Sequence, residues 1–151
     1  MKYLVFSIKK SKGFTLIELL IVLAIIGVLT SFLMANILNA RLRARDAQRK
    51  ADLRQVQAAL ELYRSDQGSY PPAPLPSCGS SLVMGGTTYM QKIPCDPSNS
   101  GQYVYNYATT GTTYTLTACL ENVKDQQKDT ANNASYCTGG NTNWSYTVTN
   151  P

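Results

Sequence analysis

From Phe14 to Leu38 the chain runs for 25 residues with a single charge, Glu18, and this run limits what the rest can be. As an α-helix rising about 1.5 Å per residue it would be ~37 Å long, enough to cross a hydrocarbon core of about 30 Å with some tilt. A spanning or fibre-core helix is therefore expected over 14–38. A cleaved secretory signal is the alternative, but the apolar part of such a signal is normally only about 7 to 15 residues and ends at a small-residue site of A-x-A type.

The formal charge of +5 is uneven. Lys2, Lys9, Lys10 and Lys12 lie ahead of the apolar run, and without residues 1–13 the charge falls to +1. A basic balance of this kind is a weak argument for nucleic-acid binding. What remains is a cluster at Arg41, Arg43, Arg45, Arg49, Lys50 and Arg54, offset by Asp46 and Asp52. It reads as a solvated collar beside the membrane in preference to a DNA site. Counting Lys and Arg on the two sides of the run does not fix its orientation, because the side after the run carries more of them.

Cys78, Cys95, Cys119 and Cys137 are an even set in the polar part of the chain, with no C-x-x-C spacing and no histidine. A zinc site would want paired spacing, so two disulfides formed in an oxidising compartment fit better, which argues for a polar part outside the cytoplasm. Three pairings exist; sequence proximity favours Cys78 with Cys95 and Cys119 with Cys137. Closing the second loop would contribute roughly 3 kcal/mol in the chain-entropy model.

Past the collar, helix-forming residues continue with no proline before Pro71, which predicts one helix from about Phe14 to Ser65. Its second half is one-sided, with Leu53, Val56, Leu60 and Tyr63 on one face, and this face should lie on a sheet. Gly68 is the expected stop, and Pro71, Pro72, Pro74 and Pro76 prevent the helix from resuming. Gln102–Ala108 and Thr113–Leu120 read as a hairpin, with Tyr114, Leu116, Ala118 and Leu120 facing the helix, and a third strand is expected over Asn143–Val148. The polar stretch Asn122–Asn141 would be a floppy loop on composition alone. The organisation expected is thus α+β: a leader over 1–13, an apolar helix over 14–38, its amphipathic continuation over 39–68, and a disulfide-stapled antiparallel sheet over 69–151.

The segment Lys9-Lys10-Ser11-Lys12-Gly13-Phe14-Thr15-Leu16-Ile17-Glu18 combines basic residues, a glycine and an apolar helix with one acid near its start. The lysines would hold the leader at the cytoplasmic surface, and Gly13 offers an unhindered residue for a protease. Cutting after it would create a new amine at Phe14. An ionisable residue inside an apolar helix is a functional hypothesis in itself. Glu18 lies about one turn from Phe14, so the Phe14 amine of a neighbouring copy is at nearly the same depth. Desolvating both groups cancels much of their attraction, so the pair would serve register and recruitment more than stability.

Gly13 followed by Phe14-Thr15-Leu16-Ile17-Glu18 closely resembles the processing site of type IV prepilins and of the pseudopilins of type II secretion systems. The resemblance extends more loosely to Tyr63-Arg64-Ser65-Asp66-Gln67-Gly68-Ser69-Tyr70-Pro71, to Ile93-Pro94-Cys95-Asp96-Pro97 and to the hairpin. It implies a pilin-like fold, cleavage between Gly13 and Phe14 by a membrane prepilin peptidase, and methylation of the Phe14 amine. It also implies engagement of that amine by Glu18 of an adjacent subunit in a homo-oligomeric filament. The partners implied are membrane lipid before assembly, an inner-membrane platform protein and a cytoplasmic assembly ATPase. The precursor would be a single-pass inner-membrane protein and the product an extracellular pilus or a periplasmic pseudopilus. One departure is Ala35, at a position where many members have a helix-disrupting proline, so a straighter helix is expected between Gly27 and Asn39.

Three functions compete on this reading: a pilus subunit serving adhesion, motility or DNA uptake, an export pseudopilin, and a membrane-tethered binding module that never polymerises. Exposed Tyr103, Tyr105 and Tyr107 would suit the last as an aromatic strip, although such a strip is more often subunit packing. Asp96, Asp125 and Asp129 are the acids near candidate loops, but they lack the oxygen-rich pattern calcium prefers, and no metal or cofactor is expected. With no histidine and no paired carboxylates, nothing supplies a nucleophile and base, so no enzymatic activity is expected.

Overall fold

A computed structural model describes residues 13–151, with only the backbone described at 32 and 34–36. The leader expected over 1–13 therefore lies almost wholly outside the described residues. The fold is α+β. Helix α1 covers Leu16–Gln67, and the strands are β1 (Leu82–Met84), β2 (Thr87–Met90), β3 (Asn106–Thr109), β4 (Tyr114–Leu120) and β5 (Trp144–Thr149). The strands form two antiparallel sheets, β1-β2 and β3-β4-β5. Two compact units meet in sequence at Asn39 and Ala40.

Helix α1 is assigned without a break from Gly27 to Asn39. Among the described residues no helix is long and apolar enough to cross a membrane. The apolar run includes positions whose side chains are not described, so its spanning of a bilayer remains an expectation from the sequence. At its other end α1 stops because Gly68 takes φ 78°, a left-handed conformation that glycine adopts without strain, and its N–H closes the last turn on the Arg64 carbonyl at 2.8 Å.

The second unit is built on the apolar face of α1. Leu53, Val56, Leu60 and Tyr63 are buried with Tyr114, Leu116, Ala118 and Leu120 of β4, and with Tyr70, Leu82, Tyr89 and Ile93 from the segments between. Tyr70 meets Tyr114 edge-on, with ring centroids 4.6 Å apart, a geometry that the ring quadrupoles favour. β4 is the middle strand, pairing Leu116 with Tyr107 of β3 and with Val148 of β5.

The structure corrects three sequence-based expectations and adds one element beyond them. β3 starts only at Asn106, because Ser100–Tyr103 closes into a tight bridge in which the Tyr103 N–H bonds the Ser100 carbonyl, and Gly101 has φ 58°. On β4 the alternation fails, since Thr117 and Cys119 are buried as well as the helix-facing set. The segment after β4 covers that second face and is stapled to it by the Cys119–Cys137 disulfide. That segment is not floppy. Asp129 Oδ1 and Asn132 Oδ1 accept the Thr147 and Ser145 N–H groups, and the Asp129 N–H bonds the Ser145 carbonyl, so the loop blocks the open edge of β5. Finally, the β1-β2 hairpin turns through Gly85-Gly86, both at positive φ, as a two-residue turn requires.

The other disulfide joins Cys78 to Cys95 and ties the proline-rich connector to the segment before Asp96. Among the described residues no cysteine is free.

Candidate functional site

Gly13, Phe14 and Thr15 precede the first turn of α1. A side chain at Gly13 would meet nothing within 4 Å, so nothing in the described chain requires a glycine there. Phe14 is 90% exposed and Leu16 88%. Thr15 and Glu18 form a reciprocal cap. The Thr15 N–H and hydroxyl each donate to Glu18 Oε2 at 2.8 Å, and the Glu18 N–H returns a bond to Thr15 Oγ1 at 3.3 Å. This is the capping box of a Thr-x-x-Glu start, which satisfies two donors left without partners at a helix N-terminus. Glu18 Oε1 accepts no hydrogen bond among the described residues, so the carboxylate keeps an open acceptor.

The described side chains of the apolar run beyond it are exposed all round, from Ile17 and Leu20 through Leu29 to Leu38. Two of its polar residues hide their donors: the Thr30 hydroxyl bonds the Ile26 carbonyl at 2.9 Å and the Ser31 hydroxyl the Val28 carbonyl at 2.7 Å. A helix with apolar residues on every side and its hydroxyls turned back onto its own backbone suits an apolar surrounding of lipid or of other helices.

The expected solvated collar is corrected at its centre. Arg49 is 0% and Asp46 1% exposed. Arg49 grips both oxygens of Asp96, through Nε at 2.7 Å and Nη2 at 3.0 Å, and donates from Nη1 to Asp46 Oδ1 at 2.8 Å. Its Nη1 also lies 2.8 Å from Glu121 Oε1. Asp46 accepts the backbone N–H groups of Glu121 and Asn122, at 2.9 and 2.8 Å. Arg45 forms a fork on Glu121, and Lys50 bonds Asp125 at 2.8 Å. Arg45, Arg49 and Lys50 are thus each paired with a carboxylate of the protein, Arg49 in its interior and the other two at its surface, and these three are not offered to a nucleic-acid backbone. Burial works against the Arg49 charge, but its carboxylate partners outweigh it and hold its pKa above the usual guanidinium value.

The three acids considered for calcium are also committed. Asp96 holds Arg49, Asp125 holds Lys50, and Asp129 accepts both the Thr147 N–H at 2.9 Å and its hydroxyl at 2.7 Å. The tyrosine strip is not an exposed one. Tyr103 lies under the Arg49 guanidinium at 4.7 Å, Tyr105 donates to Asp52 at 2.6 Å, and Tyr107 donates to the Pro71 carbonyl at 2.7 Å. Burial and the bond to Asp52 push the Tyr105 phenol up, so it stays a donor.

The ion pairs predict acid sensitivity. The Arg45 bond holds the Glu121 carboxyl below its usual range; burial raises Asp125, but Lys50 and the Gln127 N–H outweigh it and leave it low. Both groups then bind protons more readily unfolded, so their contribution is complete above the unfolded values of about 4 and is lost as pH falls below them. Asp52, pushed up by burial, acts in the opposite sense at higher pH. The urea midpoint should hold near pH 6 and drop below about pH 4. Glu121→Gln should lower the neutral-pH midpoint and flatten the acid limb; an unchanged acid limb would assign the sensitivity elsewhere.

A family model described as a prokaryotic N-terminal methylation motif matches residues 8–34. The major component of the type IV wide pilus of Thermus thermophilus is 48% identical over 62 residues, 41% of this chain and 47% of that protein. The chain thus spans about half the length of that relative. Type II secretion system core protein G of Escherichia coli is 30% identical over 108 residues, covering 64% of this chain and 73% of that protein. The protein of that name from Dickeya chrysanthemi is 24% identical over 150 residues, covering 89% and 97%. No solved structure matches the chain.

Proposed function

The chain belongs to the family of type IV pilins and type II secretion pseudopilins, and from that premise we propose that it is a structural filament subunit that polymerises through its N-terminal helix after residues 1–13 are removed. The observation that carries the reading is the open Glu18 carboxylate oxygen at the start of a helix whose apolar surface is exposed on every side. A prepilin peptidase would cut between Gly13 and Phe14, where glycine answers no need of the described chain. It would then methylate the Phe14 amine. Before assembly, residues 14–38 would sit in the membrane; afterwards they would pack against the same segment of other copies, handed over by a platform protein and an assembly ATPase.

The product we favour is a pilus, with an export pseudopilus as the second reading. The breadth of the match to core protein G speaks for the pseudopilus. Resemblance to the major pseudopilins would imply a calcium-binding loop late in the chain, and the commitment of Asp96, Asp125 and Asp129 to protein partners, which leaves these three acids unfree for calcium, speaks for the pilus.

The test is the N-terminus of protein sheared from the native cell surface, read by mass spectrometry. Filaments whose chains begin at methylated Phe14 are expected. Processed chains found only within the envelope would favour the pseudopilus, and intact Met1 in the membrane fraction would overturn the filament reading.

A further inference from the structure

The sequence holds two Asn-x-Ser tripeptides without a central proline, Asn133-Ala134-Ser135 and Asn143-Trp144-Ser145. This is the acceptor pattern for N-linked glycosyl transfer, in which the asparagine amide is modified and the hydroxyl two residues on is read. The fold treats the two oppositely. Asn143 is fully buried, whereas Asn133 is only partly covered and is followed by exposed Ala134 and Ser135.

Every backbone group of Asn133 is occupied within the protein. Its N–H donates to Ser145 Oγ at 2.9 Å, and its carbonyl accepts from the N–H groups of Tyr136 at 3.1 Å and Cys137 at 2.8 Å. Its side-chain oxygen accepts the Ser135 N–H at 3.2 Å, turning the tripeptide into a tight bend. The amide nitrogen Nδ2 is left without a partner among the described residues, so replacing one of its hydrogens would break no bond of the fold. The bend is held in place by the Cys119–Cys137 bridge.

We propose that Asn133 is the acceptor of an N-linked glycan, added outside the cytoplasm from a sugar carried on a lipid pyrophosphate. In that transfer Nδ2 bonds to the anomeric carbon of the sugar as the bond from that carbon to the pyrophosphate oxygen breaks. The lipid pyrophosphate leaves with the electron pair, and the amide proton passes to a base of the transferase. Nothing is oxidised or reduced. The proposal rests on export of the disulfide-bonded domain and not on its polymerisation.

The experiment uses the protein as purified from the native cell. Once the Cys119–Cys137 bridge has been scored and then reduced, cleavage after Lys128 releases residues 129–151, which contain both tripeptides, and electron-transfer fragmentation locates any sugar mass. A sugar increment is expected on Asn133 and none on Asn143. It should vanish in Asn133→Gln and in Ser135→Ala, with the Cys119–Cys137 bridge still formed in both. Bare Asn133 in disulfide-bonded protein, an increment surviving Asn133→Gln, or equal modification of Asn143 would each overturn the assignment. Modified Asn133 on chains that keep Met1 would sink the filament reading and leave this one standing.

Discussion

Arg49→Ala is expected to destabilise the domain from Ala40 to Pro151 by about 3–5 kcal/mol, the cost of leaving buried carboxylates without their cation. Asp46 and Asp96 are almost fully buried, and Arg49 meets both. Asp46 would keep two backbone N–H partners and Asp96 would keep the Ser98 N–H, so neither would be stripped entirely. Arg49→Lys should rescue little, because an ammonium cannot reproduce the two-pronged contact with Asp96. Arg49→Met combined with Asp96→Asn should recover part of the loss by removing one uncompensated charge. Urea unfolding of the full chain in detergent, followed through tyrosine circular dichroism, measures all three. A loss below about 1 kcal/mol for Arg49→Ala would mean that water reaches the cluster and that it behaves as a surface pair.

This cluster also marks where the sequence ceased to be readable. The elements set by period and punctuation were legible: the long helix, its Gly68 stop, the β3-β4 hairpin and β5 follow from apolar spacing and turn residues. The sequence-proximal cysteine pairs are the ones bonded. The role of Arg49 was not legible, because its partners lie 47 and 72 positions away at Asp96 and Glu121, and no local pattern separates a buried arginine from a solvated one. The tyrosines are a different case: Gln102–Ala108 reads as a single strand, but the tight bridge at Ser100–Tyr103 closes before β3 begins at Asn106. Two further features are announced locally. Gly85-Gly86 between short strand-forming runs announces a hairpin, and Thr15-x-x-Glu18 announces a helix start. The second matters most, because it gives Glu18 a local role beside the one argued from its position in the apolar run.

Those two roles separate in the last prediction. Glu18→Ala removes both the cap on the Thr15 N–H and the negative charge, whereas Glu18→Gln removes the charge and keeps an amide oxygen that can still complete a capping box. If the carboxylate recruits the Phe14 amine of a second copy, both variants should lower the yield of sheared filaments by about tenfold or more, since an amine desolvated opposite a neutral side chain is left uncompensated. If Glu18 serves only to start α1, Glu18→Gln should assemble nearly as well as the parent chain, and only Glu18→Ala should fail. Neither change touches the core around Leu53, Leu60 and Leu116, so both proteins should accumulate with both disulfides formed and an unchanged urea midpoint. Filament yield measured beside that midpoint therefore distinguishes a charge read by another subunit from a residue that shapes its own helix. Normal assembly by Glu18→Gln would end the case for the intersubunit pair.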